Sequence, residues 1–186
     1  MTMYFFLYDD SGTVRGSMDF PDGTAAPMSK MVACTAEQAA AMYRYRVDLT
    51  DTPAVVEIDP VTLLKSLTTD LAASIDAKVA TVYANWTRFQ QEYLQREAAA
   101  RAYKAAGYTG DVSIWISGFA NAAGKTSQEA ADLIVAQADG LYAALSSLGA
   151  LRMRKYEVFT ASDCDAAFAA HDAISAEIDT VAATIQ

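Results

Sequence analysis

The chain holds one histidine and two cysteines, so thiol chemistry, or a zinc site of His and Cys ligands, would be built from His171, Cys34 and Cys164. A zinc site needs several such ligands converging on one point, usually with short ligand-to-ligand spacings. Two cysteines far apart in sequence and a single histidine do not have that spacing. A nucleophilic pair of Cys164 and His171 is separated by seven residues, two helical turns or about 10 Å. That is beyond the hydrogen bond such a pair requires. His171 instead falls on the apolar stripe of the last expected helix and reads as a buried or boundary histidine.

Other fragments imitate chemistry. Gly124-Lys125-Thr126 has the ending of a phosphate-binding loop, but the motif needs a glycine where Phe119 stands, with Gly118 one place too early. It also needs a strand feeding the loop. A helix C-cap followed by an N-cap accounts for the same residues, and ATP binding is not expected. Asn85-Trp86-Thr87 matches a glycosylation sequon by chance, inside an expected helix. Arg152, Arg154 and Lys155 form a basic cluster with two readings: cations suited to the end of a helix, or a docking patch for an acidic partner. Asp132, Asp139, Asp163, Asp165, Asp172, Glu177 and Asp179 are scattered without a calcium-loop pattern and read as a solvated helix face. No catalytic, cofactor-binding or metal-binding residues are assigned, and the chain is expected not to be an enzyme.

The elements that would carry these residues are dominated by one stretch. Leu64, Leu67, Leu71, Ile75, Val79, Val82, Trp86, Phe89 and Tyr93 recur roughly 3.6 residues apart, the helical period. Asp59 as N-cap, Pro60 at the first helical position and Gly107 just past the end predict a single helix over residues 60–106. Its length would be roughly 70 Å. The rings of Trp86, Phe89 and Tyr93 read as core or coiled-coil seam.

Before that helix, Met3–Tyr8 with Asp9-Asp10-Ser11-Gly12 and 13–20 reads as a β-hairpin, broken at Pro21-Asp22-Gly23. Residues 25–30 carry little signal. A short strand at 31–34 precedes the capping box Thr35-Ala36-Glu37-Gln38 and a helix expected to reach about Arg46. A loop at 49–53 and a strand at 54–58 follow. Residues 1–58 thus read as a small α+β unit, too small to be robust alone.

Residues 59–186 read as a helical region. Beyond the long helix come a short one at about 112–123, one at about 127–159 opened by the capping box Thr126-Ser127-Gln128-Glu129, and one at about 163–185. Short connections fold sequential helices back antiparallel. The fold class is α+β, predominantly α: an N-terminal hairpin-containing unit followed by an antiparallel helical bundle.

Composition narrows the partners. A net charge of −9 and a pI near 4.5 argue against nucleic acid and against an anionic membrane surface. No uninterrupted apolar run approaches 18 residues, so no transmembrane helix is expected. The opening Met-Thr-Met-Tyr lacks a signal-peptide pattern, which makes the host cytoplasm the expected site of synthesis. Pairing of Cys34 with Cys164 is left open by the sequence.

Over residues 93–156, "EYLQREAAARAYKAAGYTGDV", "TSQEAADLIVAQADGLYAAL" and "LGALRMRKYEV" resemble the C-terminal region of tailed-phage tail fibre assembly proteins. Tyr103 and the Gln-Glu-Ala-Ala pattern at 128–131 lie within the match. That family pairs a small β-rich N-terminal piece with an Ala-rich helical tail. Here the N-terminal half lacks the family's proline-rich linker. The resemblance implies a non-enzymatic chaperone, without cofactor, that binds the distal end of a tail fibre in the host cytoplasm and in some phages stays on the virion tail. The alternative is a structural component of the tail, baseplate or fibre, and self-association into a homo-oligomer fits either. Tyr108, Trp115 and Phe119 are the candidate partner-binding residues. Trp115 and Phe119 lie four apart on one helix face, placed either to cap the end of the long helix or to meet a partner.

Overall fold

The computed structural model describes residues 2–21 and 29–185. The expected break at Asp22-Gly23 and the start of the 25–30 segment lie outside them. The chain forms two compact units, 1–67 and 68–186, with the boundary inside a helix. The class is α+β, predominantly α.

In the first unit, β1 (Thr2–Tyr8) is the centre of a three-stranded antiparallel sheet between β2 (Val14–Pro21) and β3 (Met31–Cys34). Phe5 and Phe6 are adjacent, so they point to opposite faces, and both are buried. Phe5 meets Phe20 edge-on and Phe6 packs near Tyr45. The hairpin turn is tied by Asp9, whose carboxylate accepts from the Ser11 and Thr13 amides.

The capping box at Thr35 and Gln38 forms, but helix α1 spans only Ala36–Ala40. A 3-10 turn (Met42–Arg44) and a strand, β4 (Tyr45–Asp48), replace the expected continuation to Arg46. Strand β4 pairs with β5 (Ala54–Glu57). Tyr45, Val47 and the neighbouring Tyr43 favour strand over helix once a partner strand is present, and Val47 is fully buried there.

The helix expected over 60–106 is two helices. Helix α2 is Pro60–Thr87 and α3 is Gln90–Ala105. Asp59 caps the first, its carboxylate accepting from the Thr62 amide at 2.9 Å. The break falls at Arg88-Phe89, where Phe89 has φ −120° and ψ 29°. No Gly or Pro marks it. The run Asn85-Trp86-Thr87-Arg88-Phe89 is instead poor in strong helix formers. Phe89 is 52% exposed and lies outside the core.

The end of α3 follows the expectation closely. Gly107 takes φ +67°, its amide donates to the Lys104 carbonyl, and the Tyr108 amide donates to the Tyr103 carbonyl. That is a Schellman termination, with the Tyr103 and Tyr108 rings in edge contact across it.

Helix α4 (Ile114–Ala123) ends at left-handed Gly124, and the Thr126–Glu129 capping box opens α5 (Ser127–Met153). A short interruption at Arg154 separates α6 (Lys155–Phe159), so the helix expected over 127–159 is also in two pieces. Helix α7 is Cys164–Ala183. The core of this unit includes a cluster of Ala100, Ile116, Ala120, Ala130, Ala131, Ile134 and Val135. Alanines there let α3, α4 and α5 approach closely. Ile75, Leu148, Ile174 and Ile178 are also fully buried.

One expectation about α5 needs correction. Ser127–Phe159 contains an 18-residue window of mean hydropathy 1.2, long and apolar enough by length and composition to cross a membrane. Counting uninterrupted apolar runs missed it, because averaging tolerates Gln137 and Asp139. In the fold, α5 buries Ala130, Ala131, Ile134, Val135, Ala144, Leu148 and Leu151 within the bundle.

Candidate functional site

A concavity of the second unit lies beside the break between α2 and α3. Below it, α2 is fastened to α5 by the Tyr83 hydroxyl, which donates to the Leu145 carbonyl at 2.8 Å. Above it, α3 is fastened to α5 by the Tyr142 hydroxyl donating to Glu97 at 2.5 Å and by the Arg101–Asp139 ion pair. Between these fastenings the chain stands away from α5 and leaves a groove of about 750 Å³. Tyr83, Trp86, Tyr93 and Leu94 line one side, and Gln137, Gly140, Leu141 and Leu145 the other, with Ile185 at one end. Trp86 and Tyr93 tilt against each other across the break, centroids 6.5 Å apart.

The charges in this lining are committed inside the chain. Glu97 takes Arg101 and Tyr142, and Arg96 pairs with Glu92 and lies over the Phe119 ring at 6.0 Å. The Arg96 Nε is buried without an acceptor. Gly140 is a mid-helix glycine in the wall, and an added Cβ would meet nothing within 4 Å. A glycine there costs about 1 kcal/mol of helix stability relative to alanine. Packing within the chain does not require it.

The residues expected at a partner surface separate. Tyr108 is half-buried, and its hydroxyl donates to Asp132 at 2.7 Å, beside Lys104, which donates to the same oxygen. The Lys104 and Tyr108 donors hold the Asp132 carboxyl below the usual carboxylate range, and Asp132 in turn pushes the Tyr108 phenol up. Phe119 packs on the alanine-rich core with Tyr103 and Tyr108. Trp115 stays 38% exposed and Ile114, one residue earlier, 79%. The structure therefore places Tyr108 at the end of α3 and Phe119 against the core beside Arg96, and leaves Trp115 partly exposed.

The basic cluster has internal partners. Arg152 and Lys155 both donate to Asp76, at 2.9 and 2.6 Å, and Arg154 bridges Glu157 and Glu177. Lys155 and then Arg152 keep the Asp76 carboxyl low. These cations brace α2, α5, α6 and α7. Several acidic residues of the supposed solvated face are likewise braces, Asp179 with Lys78 among them.

His171 is half-buried, its Nδ1 3.0 Å from Asp172 Oδ1 and its Nε2 3.3 Å from Ser74 Oγ. Cys34 in β3 and Cys164 at the start of α7 are each partly buried. Among the described residues, no three His, Cys, Asp or Glu side chains gather as a metal-holding group. Gly124-Lys125-Thr126 is a helix end followed by a cap, as its sequence suggests.

Comparison with known proteins gives one informative likeness. The chain is 50% identical over 88 residues to an uncharacterized 23.3 kDa protein in the lys 3′ region of Haemophilus phage HP1. The matched part is 47% of this chain and 44% of that protein, so the chain spans less than half the length of its relative. No family model matches, and no solved structure matches. The likeness supports a bacteriophage origin. It does not reach tail fibre assembly, for which only the segment likeness over 93–156 speaks.

Sequence reasoning missed the groove. Its walls come from residues assigned to a continuous stripe or to no role, on either side of the helix break. Gly140, unexplained inside a helical pattern, was the available signal.

Proposed function

We propose that this chain is a non-enzymatic phage assembly protein, a chaperone that binds the distal end of a tail fibre. The observation that carries the reading is the kind of surface the helical unit leaves unpartnered. On a chain of net charge −9, the groove sets aromatic and aliphatic side chains such as Trp86, Tyr93, Leu94 and Leu141 among polar ones, its Arg96 and Glu97 charges being paired within the chain, and the outer face of α4 carries no charge. Aromatic anchors in desolvated settings dominate protein–protein binding energy. Reaction chemistry would call for converging titratable groups instead. The phage relative and the likeness of 93–156 to tail fibre assembly proteins supply the setting.

A structural role in the tail, baseplate or fibre is the second reading. Its original motive, an unbroken rod of roughly 70 Å, is weakened by the break at Arg88-Phe89. Mass spectrometry of purified particles separates the two, since a structural component is present in fixed stoichiometry. The chaperone reading is tested by producing the phage's tail fibre with and without this chain. The fibre should be soluble and trimeric only in its presence. A fibre that trimerises equally well alone removes the reading.

A further inference from the structure

The polar groups of the groove are as informative as its rings. Trp86, Gln90 and Gln137 line it, and among the described residues none of these side chains forms a hydrogen bond within the chain. An indole N–H only donates, and a side-chain amide both donates and accepts. Helix α3 starts at Gln90 without a side-chain cap, so the amides of its first turn are further donors without helical acceptors. The charges are different, because they have partners. Arg96 pairs with Glu92, and Glu97 takes Arg101 and the Tyr142 hydroxyl. Tyr83 and Tyr142 are also fixed, their hydroxyls held by the Leu145 carbonyl and by Glu97.

These features discriminate among the ways a segment of protein is recognised. A charged or phosphorylated segment would find no free counter-charge and would lose its water. An added strand needs a sheet edge, and the described residues of 68–186 hold no strand. A helix satisfies its own carbonyls and offers the Trp86, Gln90 and Gln137 donors no backbone acceptor. A polyproline II segment has every carbonyl unpaired and needs no charge, and proline-rich segments in that form dock in aromatic-lined grooves. The α5 wall from Ile134 to Leu145 is about 17 Å long. At about 3.1 Å per residue it has room for roughly five residues of such a segment.

We infer that the groove binds an uncharged, proline-rich segment of a partner protein in the polyproline II conformation. Proline rings lie against Trp86 and Tyr93, while the Trp86 indole and the Gln137 amide donate to carbonyls of the segment. Gly140, where an added Cβ would meet nothing within 4 Å, keeps the α5 wall open to it. Fixed tyrosines and a segment already extended when free reduce the ordering that binding requires. The inference rests on the groove being a protein-binding surface, as proposed above, but not on the partner being a tail fibre.

The test is calorimetric titration of the full-length protein with decaproline blocked at both ends. Two variants accompany it. Gln137→Ala removes an amide at an exposed helix position that alanine suits, and Gly140→Leu fills the groove. Thermal melting checks that both fold. The wild type should bind one peptide, Gln137→Ala should bind it about fivefold more weakly, the worth of one hydrogen bond, and Gly140→Leu should not bind it. A folded wild type that ignores decaproline up to the peptide's solubility limit overturns the inference. So does binding that neither folded variant changes, or tighter binding of a neutral alanine-based helical peptide or of maltohexaose in competition for the same groove. A fibre that co-purifies with a chain indifferent to decaproline removes this inference alone. A chain that binds decaproline and no fibre removes only the chaperone reading.

Discussion

Gly12 sits at φ +79° with the Val47 carbonyl oxygen 2.1 Å from where a Cβ would be. The Gly12 carbonyl also accepts from the Val47 amide at 2.8 Å, so the hairpin turn is pressed against β4. Gly12→Ala should cost about 2–3 kcal/mol through strain and displacement of backbone, read as a lowered melting temperature. The turn composition was legible in the sequence, but the close approach was not, because it depends on β4, which reads as helix locally. On α4, Ile116 is fully buried and Trp115 is 38% exposed. Ile116→Ala should cost about 2–5 kcal/mol, and Trp115→Ala less than half as much, as measured by denaturant unfolding. Equal losses would mean that Trp115 is a core residue. The clasp of Lys104, Tyr108 and Asp132 gives a pH signature. Asp132 is lowered in the folded state, so its contribution is present above the ordinary carboxylate range and is lost as pH falls through the lowered value. Lys104 and Tyr108 are raised, so theirs is complete below their ordinary values and is lost as pH rises through the raised ones. Asp132→Asn should flatten the acid limb of a stability–pH profile, and Tyr108→Phe should soften the alkaline one.

The ends of the helices were readable from sequence and their continuity was not. Asp59, Thr35 with Gln38, Thr126 with Glu129, and Gly107 all act through bonds to residues a few places away, and each appears where its spacing puts it. The break at Arg88-Phe89 keeps the apolar period on both sides and contains no Gly or Pro, so periodicity runs straight through it. Its consequence, the groove, depends on where α5 fastens to α2 and α3, which is tertiary information. Helix α5 pays for that groove at Gly140, and Gly140→Ala should raise stability by about 1 kcal/mol, since the new methyl meets nothing. A loss of stability on calorimetry would show that the glycine serves the packing of its own chain.

The molecule as a whole is acidic, helical in its larger unit, and related over 47% of its length to a bacteriophage protein. The groove beside the α2–α3 break and the uncharged outer face of α4 are the surfaces on which the proposed binding role rests. Composition and charge lead to the expectation that nucleic acid is not a partner. The direct measurement is therefore co-purification of the full chain with the phage's tail fibre, with the mass of the complex determined in solution. The account predicts a stoichiometric complex that Gly140→Leu or Ile114→Asp weakens at least tenfold, or about 1.4 kcal/mol, while both variants stay folded. A fibre that folds, trimerises and elutes alone, with this chain never in its fractions, would contradict it.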